Sequence, residues 1–153
     1  MMIVVRPLQS EDCSELSEIE EESFSMPWSE QDFRDLLIKD YTCYMVAEYE
    51  GKPVGTAGMT ISFDEGNIDN VVVKEDFRHK NIGTLLMEKL IEEGIKRGVR
   101  AFTLEVRVSN TNAISLYKKM GFESAGVRPN FYDKPKEDAE IMWLYTDKEK
   151  MSR

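Results

Sequence analysis

The apolar positions along this chain alternate between a spacing near two, which suits strands, and a spacing near 3.6, which suits helices. Residues 2–5 are a short β-branched run ahead of Arg6-Pro7. Ser10 then stands where a helix cap would, with Leu16, Ile19 and Phe24 following at helical spacing. After Met26-Pro27-Trp28, Ser29 with Asp32 three residues on has the form of a capping box, and predicts a second helix with Phe33, Leu36 and Leu37 on one face. Residues 43–49, 54–63 and 67–73 are rich in β-branched and aromatic side chains. Turn chemistry at Glu50-Gly51-Lys52 and Asp64-Glu65-Gly66 separates them and predicts an antiparallel meander. Residues 83–97 place Leu86, Leu90 and Ile91 among charges ahead of a Gly98 stop, as an amphipathic helix does. A strand at 101–106 follows. Ser109 and Asn110 can cap a helix that turns Ala113, Leu116, Tyr117 and Met120 inward and stops at Gly121. Strands at 122–128 and 139–145 complete a mixed α/β layer structure.

Length and composition narrow this further. At 153 residues and 41% hydrophobic, the chain has the size and apolar content of one buried core, which predicts a single domain over 1–146 and a charged tail at 147–153. The formal charge of −9 opposes phosphate backbones and anionic lipid, so neither nucleic acid nor membrane is an expected partner. Cys13 and Cys43 make no metal-ligand spacing and are expected to be reduced, structural thiols. The apolar run at the N-terminus is too short for a signal peptide, and no stretch has the length to cross a bilayer; a cytoplasmic location is expected.

Three segments could carry chemistry. In the first, the strand ending Val71-Val72-Val73 leads through Arg78-His79-Lys80 into Asn81-Ile82-Gly83-Thr84 at a helix start, where unpaired backbone N–H groups and a positive dipole end suit a pyrophosphate. A solvated basic loop is the plainer alternative. The segment fits neither the nucleotide P-loop string nor the dinucleotide glycine fingerprint. In the second, Glu105 lies between Leu104 and Val106 and must point to the opposite sheet face, as a general base or as an ordinary strand carboxylate. In the third, Tyr117 lies on an inward helical face, either as core or as a phenol able to donate a proton.

Together, in this order and spacing, the three segments resemble the GNAT superfamily of acyl-coenzyme A dependent N-acetyltransferases over nearly the whole chain. Arg78-His79-Lys80-Asn81-Ile82-Gly83 is similar to that superfamily's pyrophosphate loop, with Asn81 in place of its first glycine. Asparagine is the residue that best imitates glycine at positive φ. Pro27-Trp28-Ser29, Leu104-Glu105-Val106-Arg107, Ser109-Asn110, Leu116-Tyr117, Gly121-Phe122, Asn130-Phe131-Tyr132 and Glu137-Asp138-Ala139 resemble the RimI-type ribosomal-protein alanine N-acetyltransferases and the related archaeal Ard1-type enzymes. The resemblance implies a central, mostly antiparallel twisted sheet flanked by helices. It implies acetyl-coenzyme A as cosubstrate and no metal, with a protein or peptide N-terminus, including that of a ribosomal protein, as acceptor. Backbone groups of Val71 and Val73 would hold the pantetheine arm, residues from Arg78 to Thr84 the pyrophosphate, and Asn110 the coenzyme nearby. Glu105 and Tyr117 would be base and acid, and Trp28, Asn130 and Tyr132 would meet the acceptor. A lysine or small-amine acetyltransferase and a non-catalytic coenzyme A binding module are the competing expectations.

Overall fold

The computed structural model describes residues 2–146; the tail expected at 147–153 lies outside the described residues. Seven strands form one sheet in the order β1-β2-β3-β4-β5-β7-β6. They are β1 (Ile3–Pro7), β2 (Thr42–Tyr49), β3 (Lys52–Ser62), β4 (Glu65–Val73), β5 (Ala101–Arg107), β6 (Glu123–Tyr132) and β7 (Glu137–Tyr145). Every neighbouring pair is antiparallel except β4 with β5, which the intervening helix makes parallel. The meander and the strand–helix order read from hydrophobic spacing are all present.

Strand alternation splits the core in two. On β2, Cys43 and Ala47 face α3 (Ile82–Lys96), while Tyr44 and Val46 face α1 (Cys13–Ser23) and α2 (Glu30–Leu36). Leu86, Met87 and Leu90 anchor α3, and Ile114 and Tyr117 anchor α4 (Thr111–Lys119), on the first side. Cys13, Leu16, Ile19, Phe33 and Leu36 fill the second. Both cysteines are buried free thiols. No helix of the described residues is long and apolar enough to cross a membrane.

Some local expectations shift. A 3-10 turn at Ser10–Asp12 precedes α1, and Asp12, not Ser10, closes the motif: its carboxylate accepts the Gln9 N–H at 2.8 Å and pairs with Arg6. Phe24 falls one residue beyond α1 in extended backbone and is exposed, and Leu37 is exposed past the end of α2. On α4 the most buried positions are Ile114 and Tyr117, with Ala113, Leu116 and Met120 only partly covered. The capping box at Ser29 and Asp32 forms as expected.

Two features of the sheet position the site. Gly58 pairs with Asn70 and Met59 with Ile68, so Asp69 has no partner across β3 and β4 bulges there. The β4–β5 ladder runs from Glu65↔Ala101 to Ile68↔Leu104 and stops at the same point. Past the bulge the two strands are no longer paired, and the sheet opens between them. Gly58 is required opposite the bulge because a Cβ there would lie about 2.2 Å from the Tyr44 ring.

Candidate active site

The opening between β4 and β5 is a cavity of about 630 Å³. Its floor is the two diverging strands, from Ile68 to Val71 and from Leu104 to Arg107. Asn110 and Tyr117 close it from the cap and body of α4, residues 23–26 and Trp28 with Glu20 from the α1–α2 side, and residues 131–135 from the end of β6 and the loop after it. Glu105 and Tyr117, twelve positions apart in sequence, thus share one wall system. Glu105 faces the cavity because Leu104 and Val106 on either side of it point into the core, both buried.

Tyr117 is buried apart from its approach to the cavity, with its ring packed on Phe122 at 5.8 Å between centroids. Desolvation, with a smaller contribution from Tyr132, pushes its phenol up to about 12, so the group stays a proton donor throughout the neutral range. Asn110 caps α4 through its side-chain oxygen, which accepts the Ala113 N–H at 3.2 Å, while it also lines the cavity. Its carbonyl is therefore already engaged with the helix.

On the opposite side, Trp28 packs against Phe33 and Tyr44 with centroids 5.4 and 5.7 Å apart. Tyr132 lies under the Arg107 guanidinium, 4.3 Å from its ring centre. Arg107 also donates to the Pro135 carbonyl at 2.8 Å and pairs with Glu137 at 3.1 Å, so one side chain orders the whole β6–β7 wall. Hydrogen bonds from Ser109, and then Arg107, hold the Glu137 carboxyl below the usual carboxylate range. Asn130 takes no part in the cavity lining: it is exposed at a positive φ of 55° in the irregular stretch of β6, with its N–H bonded to Asp138 at 2.8 Å. That kink turns Phe131 and Tyr132 to the cavity instead.

The strand edge leads to a second pocket. Lys74 donates its N–H to Val54 on β3, so by alternation Val72 also points its backbone to β3, whereas Val71 and Val73 turn theirs to the opened side. The side chain of Val72 is buried among α1 and α2. The Val73 carbonyl already accepts the Arg78 Nε–H at 3.0 Å, which leaves both backbone groups of Val71 and the N–H of Val73 along the edge. Arg78 reaches on to the Ser23 hydroxyl at 2.9 Å, so it ties the end of α1 to the end of β4.

The second pocket, about 250 Å³, is lined by Val73, Phe77, Arg78, His79, Asn81, Ile82, Gly83, Thr84 and Leu116 at the start of α3. Lys80 is exposed and outside this lining. His79 and Asn81 have φ of 62° and 63°, so the loop adopts the left-handed geometry for which glycine is the usual residue. The Asn81 side chain makes no cap hydrogen bond, and the first turn of α3 carries no acidic residue. Its backbone N–H groups are left for an anion, in contrast to the capped start of α4. At Gly83 an added Cβ would meet only Val73 Cγ2, at 4.0 Å. Glycine here keeps the pocket open and does not serve packing.

A cavity at one end of an open strand edge and an uncapped helix start with its own pocket at the other suit an extended thioester with a pyrophosphate end. Residues 13–122 match the acetyltransferase (GNAT) family. This chain belongs to that family. An Escherichia coli [ribosomal protein bS18]-alanine N-acetyltransferase is 35% identical over 94% of this chain and 97% of its own length. A Bacillus subtilis relative is 38% identical over 92% and 93%. The crystal structure of the ribosomal-protein-S18-alanine N-acetyltransferase from Escherichia coli superimposes with a TM-score of 0.86, covering 94% of each chain, and that of Ard1 from Thermoplasma volcanium with 0.85, at 26% identity, covering 95% and 98%. Both lines of resemblance read from the motifs are thus met, and the enzyme is an acetyl-coenzyme A dependent N-acetyltransferase of the GNAT fold.

Around this GNAT cleft stand residues to which the sequence reading gave no role in the site: Glu20, Phe24, Met26, Asp69, Asn70 and Phe131. For Glu20 a signal existed. It lies four residues after Leu16 and one after Ile19, so a carboxylate sits on the apolar face of α1.

Proposed function

We propose that this enzyme acetylates the N-terminal α-amine of a protein, with a ribosomal protein beginning with alanine, as named for its Escherichia coli relative, as the natural acceptor. Such an acceptor belongs to the cytoplasm. The observation that carries the reading is the convergence of Glu105 and Tyr117 on one cavity at the open edge of β4. The cosubstrate supplies an activated acetyl thioester. The chain supplies the strand edge at Val71 and Val73 for the pantetheine arm, and the α3 start for the pyrophosphate.

An amine attacks only when neutral. With a pKa near 8 for an α-amine and about 10.4 for lysine, an N-terminus is the far easier nucleophile at neutral pH. Glu105 would draw the proton from the incoming ammonium through a water, and Tyr117 would give its phenolic proton to the departing thiolate. Direct transfer needs no enzyme nucleophile, in keeping with two buried cysteines. The acceptor arrives as a cation. Asp69, Glu105 and Asp133 in the lining outnumber Arg107 and Lys134, and Arg107 is already paired with Glu137. This wall attracts an ammonium.

Mass spectrometry of peptides beginning with alanine, with the same peptides N-terminally blocked but carrying lysine as controls, tests the acceptor. The free α-amine is expected to be the acetylated group, and modification confined to lysine or to small amines would replace this reading. The Gly83→Val variant tests the pyrophosphate site. Because a Cβ fits there without a protein clash, the variant should fold normally and lose acetyl-coenzyme A affinity by roughly tenfold or more. Titration calorimetry showing undiminished affinity would move the pyrophosphate elsewhere.

A further inference from the structure

Glu20 is a charged side chain with 1% of its surface exposed, placed on α1 where it borders the acceptor cavity. Its two oxygens are shared between two other elements: Oε1 accepts the backbone N–H of Trp28 at 3.0 Å, and Oε2 accepts the side-chain amide of Asn70 at 3.0 Å. No cationic side chain among the described residues pairs with it, and burial raises its carboxyl from the ordinary range against the pull of these two donors. Such a group opposes stability: an apolar residue of similar volume would pack beside Leu16 and Ile19 without the desolvation cost.

What it holds explains its presence. Trp28 ends the segment that carries Phe24, Ser25 and Met26 along the cavity, and this segment has no strand or helix of its own. Asn70 is the first β4 residue past the Asp69 bulge, where the strand leaves β5. One carboxylate therefore ties this irregular wall of the cavity to the point at which its floor opens.

We infer that Glu20 is a positioning residue for the acceptor, holding the 24–28 segment over β4 by its paired hydrogen bonds to Trp28 and Asn70. The inference rests on the reading of the large cavity as the acceptor site. It requires the two hydrogen bonds and not the charge. Glutamine at this position can accept from the Trp28 N–H with its oxygen and donate its amide to Asn70 once the Asn70 side chain turns over, so it preserves the clamp. Leucine fills the volume and removes it.

The test compares Glu20→Leu, Glu20→Gln and the parent for peptide KM, kcat, acetyl-coenzyme A affinity and thermal stability. Glu20→Leu is expected to raise peptide KM roughly tenfold or more, with kcat and coenzyme affinity within about threefold of the parent and Tm equal or higher. Glu20→Gln is expected to recover most of that KM. An unchanged peptide KM in Glu20→Leu overturns the proposal, and so does a Glu20→Gln variant as impaired as leucine, which would make the charge itself the contact for the ammonium. If Glu20→Leu does not fold, Asn70→Ala removes one arm of the clamp without touching α1. It should raise peptide KM by roughly threefold or more, and a parental KM there overturns the proposal. Failure of the parent itself to acetylate the peptide overturns the acceptor reading, and this inference with it, before any variant is compared.

Discussion

The Glu105→Gln variant is expected to bind acetyl-coenzyme A as the parent does and to lose acetyl transfer by roughly 10²- to 10⁴-fold, the range of a single general base. Glutamine keeps the volume and the strand pairing of Glu105 with Ile141, so the ladder to β7 and the core contacts of Leu104 and Val106 stay as they are. Only the capacity to take a proton goes. The loss should be largest at low pH, where the acceptor is almost wholly ammonium and its deprotonation is the obstacle, and smallest as the pH approaches the amine's own value near 8. Steady-state rates with a peptide beginning with alanine, measured across this pH range, decide the matter. A parental rate throughout would reduce Glu105 to a strand carboxylate in a cavity wall.

The Tyr117→Phe variant should bind both substrates and slow the chemical step by roughly 10²- to 10⁴-fold, as expected for one general acid. The ring that packs on Phe122 remains, so the helix keeps its anchor. Burial first, and the neighbouring Tyr132 second, raise the phenol from its ordinary value of 10.0 to about 12. A raised value favours the neutral, protonated form. Deprotonation of Tyr117 therefore removes no activity as the pH passes 10, and the single-turnover rate of the parent should hold there instead of declining. A decline of the parent rate with a midpoint at the ordinary phenol value would overturn the raised value while leaving the phenol as the acid, whereas a variant that transfers acetyl at the parental rate but melts earlier would show that Tyr117 serves packing and that water protonates the thiolate.

Much of this protein is written in local patterns. The continuous apolar and β-branched runs of β2 and β3, buried on both faces, the period-two run of β4 and the period-3.6 runs of α3 and α4 determine these elements, because any other arrangement would expose apolar surface. The direction of Glu105 follows from its two apolar neighbours alone. Asn81 before Ile82 likewise marks a positive-φ loop entering a helix, since few side chains tolerate that backbone.

What the tertiary structure decided is everything that depends on one element meeting another. The bulge at Asp69 and the end of the β4–β5 ladder arise from pairing between strands far apart in sequence, so the opening that makes the site leaves no local trace in the sequence. Arg78 has the same composition signal as any basic residue before a helix, yet its guanidinium is spent on the Val73 carbonyl and the Ser23 hydroxyl. Asn130 and Tyr132 stand two residues apart, but the kink in β6 sends only the second to the cavity. Glu20 is legible as a carboxylate on an apolar helix face, while its partners, Trp28 eight residues later and Asn70 fifty residues later, are not. Hydrophobic spacing specifies which face of an element is buried; only the packed sheet and its covering helices specify which polar groups that burial brings within hydrogen-bonding distance.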